Sequence, residues 1–313
     1  MTKTVVATAF GGPAVLRVID EPDPTPGAGE VLVELRAIGV NPFDYKVYSG
    51  EFGTDESTLP LRLGGEASGV VTAVGQGAVG PAGAVNVGDE VILSAVPGAY
   101  TERVVVPGDS VIPKIAHFDW ESAAGWPAVS GTADEALETV GLGEGETVLV
   151  HGGAGGVGLL VIQLSKIRGA TVIATAREAN HDALRELGAI PITYGEGLID
   201  RVRSVAPDEI DAAIDTVGTD EAVDVSLELL ADRKRLVTIS AFERAGKEGF
   251  PAIGGASPKS GEIRRASRLK LAELAASKGI TVKVAKTFPL ANAAQAHAEL
   301  QQAHPSGKFV LIP

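Results

Sequence analysis

A glycine-rich turn between an apolar strand and an apolar helix restricts the fold of this chain more than any other segment. Residues 151–158 read HGGAGGVG; they follow the strand TVLV and open the helix VGLLVIQL. Gly153, Gly155 and Gly158 fit the pattern G-x-G-x-x-G, in which the glycines permit a tight turn, a close pyrophosphate and close helix–strand packing. The segment therefore predicts a dinucleotide-binding unit with the diphosphate at the helix amino terminus. The alternative is a turn whose glycines serve packing alone.

From about residue 119, apolar strands alternate with amphipathic helices. The strands are TVLVH, TVIATA, IPITY, DAAIDTVG and RLVTISAF. This alternation predicts an α/β domain, a doubly wound parallel sheet covered by helices on both faces. Residues 243–262, ERAGKEGFPAIGGASPKSGE, have no apolar period and are predicted to form a loop. A basic helix over residues 263–279 follows.

Before residue 119, the chain consists of short β-rich runs separated by turns, among them EVLVELRAIGV, ASGVVTAVG and DEVILSAV. This turn spacing is typical of a compact β-barrel domain. The tail returns to β character with ITVKVAKTFPL and KFVLIP, so we expect it to rejoin the first domain. The predicted domains are residues 1–120 completed by 281–313, and residues 121–280.

The composition argues against several classes of function. Lys and Arg number 27 against 40 Asp and Glu, a formal charge of −13, which disfavours nucleic acids and anionic membranes as partners. The chain has no cysteine, which removes disulfides, thiol nucleophiles and thiolate metal sites. No signal peptide or bilayer-spanning run is visible, so we expect a cytoplasmic protein. The histidines are too dispersed for a metal site, and they are His117, His151, His181, His297 and His304.

The end of the second strand of the α/β domain bears on the choice of nucleotide. Proteins that prefer NAD usually carry Asp or Glu there, whereas residues 172–177 contain no carboxylate. Arg177 offers a charged fork suited to a 2′-phosphate, and His181 offers a second donor one turn further on. These features favour NADP(H) over NAD. A solvated arginine and a packed histidine are the alternative interpretations.

Eight motifs occur in the order typical of one family, and the chain resembles the zinc-independent quinone oxidoreductases of the medium-chain dehydrogenase/reductase superfamily, which include zeta-crystallin-like enzymes. The resemblance implies a GroES-like barrel completed by the tail, a Rossmann domain between, and NADP(H) as cofactor. It also implies that zinc is absent, because Gly65 precedes Glu66 where zinc-dependent relatives carry a histidine. The motifs are GVNPFDYK (39–46), LGGEASGVV (63–71), VGDEV (87–91), GAYTERVVV (98–106), WPAVSGTADEAL (126–137), HGGAGGVG (151–158), DTVG (215–218) and GKFVL (307–311).

The same resemblance assigns roles to individual positions. Asn41 resembles the family asparagine beside the nicotinamide and substrate, and Tyr194 resembles a tyrosine that holds the 2′-phosphate in NADPH-specific members. The candidate catalytic residues are Asn41, Asp44, Tyr45 and Thr132, and the candidate cofactor-binding residues are Gly153, Ala154, Gly155, Gly156, Val157, Gly158, Thr175, Ala176, Arg177, His181, Tyr194, Thr216, Val217 and Ser240.

Structural interpretations of the catalytic candidates stay open: Asn41 as a turn cap, Asp44 as a helix cap and Tyr45 as a packed aromatic. Without a metal, hydrogen-bond donors such as Asn41, Tyr45 or Tyr48 must polarise a substrate carbonyl.

The resemblance implies NADPH-dependent hydride transfer to a small molecule, namely a quinone, an enone or a related reactive carbonyl compound. An enoyl or alkenal double-bond reductase on the same scaffold remains open, as does a nonenzymatic NADPH-binding sensor. A homodimer is expected from the family and from RLVTISAF, residues 235–242, as an edge strand that a partner would cover.

Overall fold

The computed structural model describes residues 1–206, 209–254, 257–302 and 305–313, and it comprises two compact units. The first unit contains Met1–Ala128 and Ser267–Pro313, and the second contains Val129–Ala266. The domain boundaries expected at residues 120 and 281 stay a prediction. Two residues of the expected loop, 255 and 256, lie outside the described ranges, as does His304.

Strands dominate the first unit, and strands alternate with helices in the second. Within the described residues the strands are β1 (Thr2–Ala7), β2 (Leu16–Glu21), β3 (Glu30–Val40), β4 (Leu61–Arg62), β5 (Glu66–Val74), β6 (Val79–Gly80), β7 (Gly83–Ala84), β8 (Glu90–Ser94), β9 (Arg103–Pro107), β10 (Val111–Pro113), β11 (Thr147–His151), β12 (Thr171–Thr175), β13 (Ile190–Ile192), β14 (Ala212–Asp215), β15 (Leu236–Thr238), β16 (Val284–Pro289) and β17 (Lys308–Ile312). The α-helices are α1 (Pro42–Ser49), α2 (Trp120–Val140), α3 (Gly156–Ile167), α4 (His181–Glu186), α5 (Leu198–Val205), α6 (Asp220–Leu229), α7 (Phe242–Glu248), α8 (Pro258–Lys278) and α9 (Ala293–Leu300).

The first unit is organised around the long strand β3. One edge of β3 pairs with β5, and the other edge is shared between β9 and β17. Alternate side chains of its first half are buried, and all of Ala37–Val40 is buried, because this end packs on both faces. β17 runs antiparallel to β3 with Val310 opposite Gly39, so the tail does complete the first unit's sheet.

The second unit is a parallel sheet in the order β13-β12-β11-β14-β15. The strand order reverses at β11, from which the chain first moves to one side and later to the other. Right-handed crossovers in opposite directions place helices on opposite faces, which confirms the doubly wound α/β fold. The reversal also leaves a crevice at the carboxyl end of β11, where ligands bind in such sheets.

The predicted loop over residues 243–262 is wrong over much of its length. It is replaced by α7, which begins at Phe242, and by the first turn of α8, which begins at Pro258, a residue compatible with a helix start. α7 has an ion pair within the helix, a second one with α6, and one side chain in the core of the unit. Arg244 Nε lies 2.6 Å from Glu248 Oε1, and Arg244 Nη2 lies 2.7 Å from Asp224 Oδ1 on α6. Ala245 is buried in the core of the unit.

Candidate functional site

The loop that joins β11 to α3 carries the glycine pattern. β11 ends at His151, Gly152 turns the chain with a φ of +78°, and Gly155 is the N-cap of α3. The N–H of Gly152 donates to Thr175 Oγ1 over 3.1 Å, and that of Gly153 donates to the Thr175 carbonyl over 2.9 Å. The loop is thus tied to the end of β12. The left-handed turn falls one residue before the G-x-G-x-x-G triple.

The three glycines of that triple differ in what a side chain would meet. A Cβ on Gly153 would lie 2.8 Å from Ala174 Cβ, and one on Gly158 would lie 2.3 Å from the carbonyl oxygen of Gly152. A Cβ on Gly155 would approach the rest of the chain no closer than 3.4 Å. Packing therefore requires glycine at two positions. At Gly155 it does not, and the bare backbone there suits a closely approaching phosphate.

The amino terminus of α3 fits a diphosphate. Its first turn has no acidic residue, and its N-cap, Gly155, has no side chain to cap it. The first N–H groups of a helix lack intrahelical acceptors and lie at the positive end of the helix dipole. Ala154 lies in the turn, and Gly156, Val157 and Gly158 form the first helical residues. These backbone groups would hold the diphosphate of a dinucleotide.

A buried carboxylate ties two neighbouring loops together at the same end of the sheet. Asp215 Oδ1 accepts the N–H groups of Val217 (2.9 Å) and Gly218 (2.8 Å). Asp215 Oδ2 accepts the Thr238 hydroxyl over 2.7 Å, and Thr238 Oγ1 accepts the N–H of Ser240 over 3.1 Å. The loops after β14 and β15 are therefore held in register, and Val217 and Ser240 lie at one edge.

Thr216 joins these loops to the glycine loop. Its hydroxyl donates to the carbonyl of His151 over 2.7 Å. A Cβ on Gly152 would lie 2.4 Å from Thr216 Oγ1 and 2.6 Å from Val217 Cγ1. The loops after β11, β14 and β15 are thus one packed edge, and the structure brings these predicted cofactor residues together.

His151 is a structural residue of this edge. It is buried, and its Nε2 lies 3.0 Å from Ser226 Oγ. Burial lowers the pKa of His151 to about 4, against an opposing effect of Asp215. Because the Ser226 hydroxyl donates to the Ala222 carbonyl, its oxygen accepts from His151 Nε2–H.

Arg177 and Tyr194 form an exposed pair beyond the ends of β12 and β13. Arg177 Nε donates to the Tyr194 hydroxyl over 3.2 Å, and Tyr194 is 51% exposed. Among the described residues, the Nη groups of Arg177 have no hydrogen-bond acceptor. An arginine fork with free terminal donors beside a phenol is a suitable ligand set for a phosphate.

His181 is placed differently from the expected second phosphate donor. The ring is buried, and its Nε2 donates to the carbonyl of Ala176 over 3.2 Å. That bond ties the start of α4 to the end of β12 and commits one ring nitrogen to the backbone. Its contact with a phosphate stays a prediction.

In the first unit, Asn41 is the N-cap of α1 and lies among buried charges. Its Nδ2 donates to Glu66 Oε1 over 2.8 Å, and its Oδ1 accepts from Lys308 Nζ over 2.5 Å. Glu66 Oε2 accepts the N–H of Ala128 over 2.6 Å, so this carboxylate also orients backbone. Lys308 was not predicted as a site residue; its only sequence signal is a single charge in the apolar strand KFVLI.

Asp44 is the end of a buried hydrogen-bonded chain. Its Oδ2 accepts the N–H of Asn41 (2.8 Å) and the hydroxyl of Tyr100 (3.1 Å). Burial raises the pKa of Asp44 to about 7 and lowers that of His297 to about 4. Since Tyr100 donates to Asp44, neutral His297 donates from Nε2 to Tyr100 and accepts the Tyr48 hydroxyl at Nδ1. Asp44 does cap α1.

The remaining catalytic candidates lie on α1 and α2. Tyr45 is half-buried and packs edge-on against His297, with ring centroids 6.4 Å apart. Tyr48 is 1% exposed and its hydroxyl is committed to His297, so it is a packing residue. Thr132 is buried on α2 in the second unit. The predicted roles of Tyr45 and Thr132 stay predictions.

Neither a metal cluster nor a membrane-spanning helix occurs in the part of the chain that the structure describes, which leaves out His304. The described residues contain no group of three or more His, Asp or Glu side chains placed to hold a metal ion. None of their helices is both long enough and apolar enough to cross a membrane.

Comparison with known proteins gives matches over the whole chain. Residues 27–116 match the family model described as "Alcohol dehydrogenase GroES-like domain", and residues 156–255 match the one described as "Zinc-binding dehydrogenase". This sequence contains no cysteine, so it offers no thiolate ligand for the zinc that the second description names.

Named relatives agree with these matches. A quinone oxidoreductase of Pseudomonas aeruginosa is 32% identical over all of both chains. An NADPH-dependent alkenal/one oxidoreductase of Arabidopsis thaliana is 29% identical over 99% of this chain and 79% of its own. A mycobacterial protein solved in complex with NADPH is 33% identical over all of both chains, with a TM-score of 0.84. With this identity over its full length, the chain belongs to the quinone oxidoreductase family of the medium-chain dehydrogenase/reductase superfamily.

Proposed function

We propose that this chain is an NADPH-dependent oxidoreductase that transfers hydride to a small-molecule quinone, enone or related reactive carbonyl compound. The observation that carries the proposal is the packed edge of three loops at the carboxyl ends of β11, β14 and β15, with bare backbone at Gly155. Membership of a family that includes the Pseudomonas quinone oxidoreductase supports the reaction class.

The nucleotide is held by backbone and by one charged pair. The amino terminus of α3 binds the diphosphate, and Arg177 with Tyr194 binds the 2′-phosphate. Arg177 carries a full positive charge and offers two donors in one plane, which matches a phosphate better than a ribose hydroxyl. The mycobacterial relative solved with NADPH supports this choice of nucleotide.

The chain's part in the chemistry is to orient the substrate and stabilise developing negative charge. NADPH, when bound, supplies a hydride from C4 of its reduced ring. Asn41 offers a side-chain N–H to the substrate oxygen, and Tyr45 and Thr132 are further donors. Asp44 acts through Asn41, whose backbone N–H it accepts.

A second candidate is reduction of the carbon–carbon double bond of an alkenal or enone on the same site. The Arabidopsis relative, an NADPH-dependent alkenal/one oxidoreductase that matches nearly the whole chain, favours it. Both substrates present an electron-poor carbon and an oxygen that accepts a hydrogen bond, so the same donors serve either reaction.

The test combines cofactor binding with turnover. NADPH and NADH dissociation constants are measured by fluorescence for wild type, Arg177→Ala and the control Arg185→Ala, an exposed arginine paired with Asp182. We expect Arg177→Ala to weaken NADPH binding about 10- to 100-fold, the value of a charged hydrogen bond, and to leave NADH binding unchanged. Equal wild-type affinities for the two nucleotides would refute the phosphate assignment.

Turnover is measured as the loss of NADPH absorbance with a panel of quinones, enones and alkenals. Rates above the protein-free control support the enzyme, and the preferred substrate decides between the two candidate reactions. Tight NADPH binding without reduction of any panel member would overturn the enzyme and support a nucleotide sensor instead.

We also propose a homodimer. β15 is the edge strand of its sheet, and its edge is covered in part by residues 251–253, since Thr238 N–H donates to the carbonyl of Pro251 over 3.1 Å. A second copy would pair with the part of this edge that residues 251–253 leave uncovered. Sedimentation at the mass of one chain would contradict it.

A further inference from the structure

Lys308 is a buried cation with three acceptors. Its side chain is 6% exposed, and its ammonium lies 3.0 Å from the carbonyl of Val40, 2.5 Å from Asn41 Oδ1 and 2.9 Å from Glu66 Oε1. An ammonium has three protons, so these contacts use its full hydrogen-bonding capacity. A lysine placed in this way cannot bind a ligand directly, and any effect that it has on the site passes through its neighbours.

The Asn41 amide lies between the two members of this ion pair. Its oxygen faces the ammonium of Lys308 and its nitrogen faces the carboxylate of Glu66. A flipped amide would set its N–H groups against the ammonium and its oxygen against the carboxylate. Both contacts would then be repulsive, so the charges select one orientation.

Glu66 is held in turn by the chain. Its second oxygen accepts the N–H of Ala128 over 2.6 Å, and its side chain is 2% exposed. A buried carboxylate with fixed partners cannot move away to relieve a flipped amide. One N–H of Asn41 is therefore used on Glu66, and the second remains as a donor whose direction is set by the charges behind it.

We propose that Lys308 is a positioning residue that fixes the Asn41 amide so that it presents an N–H donor, never an acceptor, to the ligand. The inference rests on the proposed function, in which Asn41 contacts the substrate oxygen. It adds a rule of specificity: the site accepts carbonyl and quinone oxygens and disfavours groups that only donate hydrogen bonds at that point.

The orientation is tested first in the protein without substrate. The chain has four asparagines, Asn41, Asn86, Asn180 and Asn292, so selective ¹⁵N-asparagine labelling gives four side-chain amide signals. Asn41→Ala assigns the signal of interest. We expect widely separated proton shifts for Asn41 in wild type, and a smaller separation or exchange broadening in Lys308→Met. The control Lys286→Met, in which an exposed lysine loses its contact with Glu299, should leave them unchanged. An Asn41 signal that is the same in Lys308→Met and wild type would overturn the proposal.

The second test asks whether Lys308 acts through Asn41. The kcat/KM for the best quinone or enone is measured for wild type, Lys308→Met, Asn41→Ala and the double variant. In the wild-type background we expect Lys308→Met to lower kcat/KM about 10-fold or more, as for the loss of an oriented donor. In the Asn41→Ala background the same substitution should lower kcat/KM less than about 2-fold. NADPH affinity should change little, because the proposed nucleotide contacts are the backbone at the start of α3 and the Arg177 side chain. If Lys308→Met lowers kcat/KM in the Asn41→Ala background as much as in the wild-type background, the positioning role is overturned.

If Lys308→Met does not fold, Lys308→Gln takes its place in both experiments. The glutamine side chain keeps polar atoms beside Asn41 but has no charge and presents either an N–H or an oxygen, so it would no longer select the amide orientation. We expect the same loss of shift separation and the same dependence on Asn41; unchanged signals and kinetics would overturn the proposal. A wild-type protein that reduces no substrate would defeat the proposed function, whereas the amide signals would still decide the orientation.

Discussion

Alanine substitutions at two neighbouring glycines separate ligand approach from packing. Gly155 has φ −75° and ψ 163°, which alanine adopts, and a Cβ there would meet the chain no closer than 3.4 Å. At Gly158 a Cβ would lie 2.3 Å from the carbonyl oxygen of Gly152 and 2.8 Å from Gly153 Cα, which are backbone atoms that side-chain rotation cannot move. The two variants should therefore fail in different ways.

The expected sizes follow from this geometry. In Gly155→Ala the reduced entropy of the unfolded chain stabilises by about 0.4–1 kcal/mol. The poorer helix cap costs a similar amount, so the net change in unfolding free energy is within about 1 kcal/mol. The added methyl group displaces the pyrophosphate and weakens NADPH binding about 10- to 100-fold. Gly158→Ala is overpacked against backbone and loses about 1–3 kcal/mol of stability.

Urea unfolding followed by tryptophan fluorescence measures the free energies, and NADPH titration measures the affinities. Gly246→Ala is a control for glycine substitution, since a Cβ there meets nothing within 4 Å. Wild-type NADPH affinity in Gly155→Ala would refute the close approach of the phosphates. Wild-type stability in Gly158→Ala would refute the packing role of the third glycine.

Two carboxylates give further predictions. Asp215→Asn places an amide N–H opposite either the Thr238 hydroxyl or the N–H groups of Val217 and Gly218, all of which are donors. The free energy of unfolding should therefore fall by about 2 kcal/mol, and NADPH affinity should fall as well. Unchanged urea and NADPH titrations would contradict this. Burial raises the pKa of Asp44 from 3.8 to about 7. The contribution of protonated Asp44 to the free energy of unfolding is therefore fully present below about pH 4 and is lost as the pH rises through about 7. The melting temperature of Asp44→Asn relative to that of wild type should therefore rise between about pH 4 and pH 7. A difference in melting temperature that does not depend on pH would contradict the assignment.

Elements set by local patterns were predictable from the sequence. The run EVLVELRAIGV coincides with β3, Glu30–Val40, because alternate apolar residues match the two-residue period of a strand. The glycine loop was also predictable, because strand, turn and helix follow each other directly. Its left-handed residue, Gly152, lies one position before the first glycine of the pattern, since several adjacent glycines can serve as the turn.

Elements that depend on distant partners were not predictable. The segment from Phe242 has the composition of a loop, yet Arg244 pairs with Asp224 on another helix and Ala245 packs in the core, two contacts that no local pattern reports.

The same limit applies to the candidate site. Asn41 and the glycine loop are recognisable as motifs, but the groups that orient Asn41 are far along the chain: Glu66 is 25 residues away and Lys308 is 267 residues away. Likewise, the chain from Asp44 through Tyr100 to His297 spans three distant segments. Periodicity reports which side chains are buried, and it carries no information on which buried polar groups meet.

The position of β17 has a consequence for the order in which the protein forms during synthesis. The second unit, Val129–Ala266, precedes Lys308–Ile312 in the chain, so all of it is translated before β3 can pair with β17. During that time β3 has β5 and β9 as neighbours, and the part of its edge that β17 covers stays open. Lys308, which orients Asn41, lies on the same strand, so the nascent chain can set the Asn41 amide only after the second unit has been made.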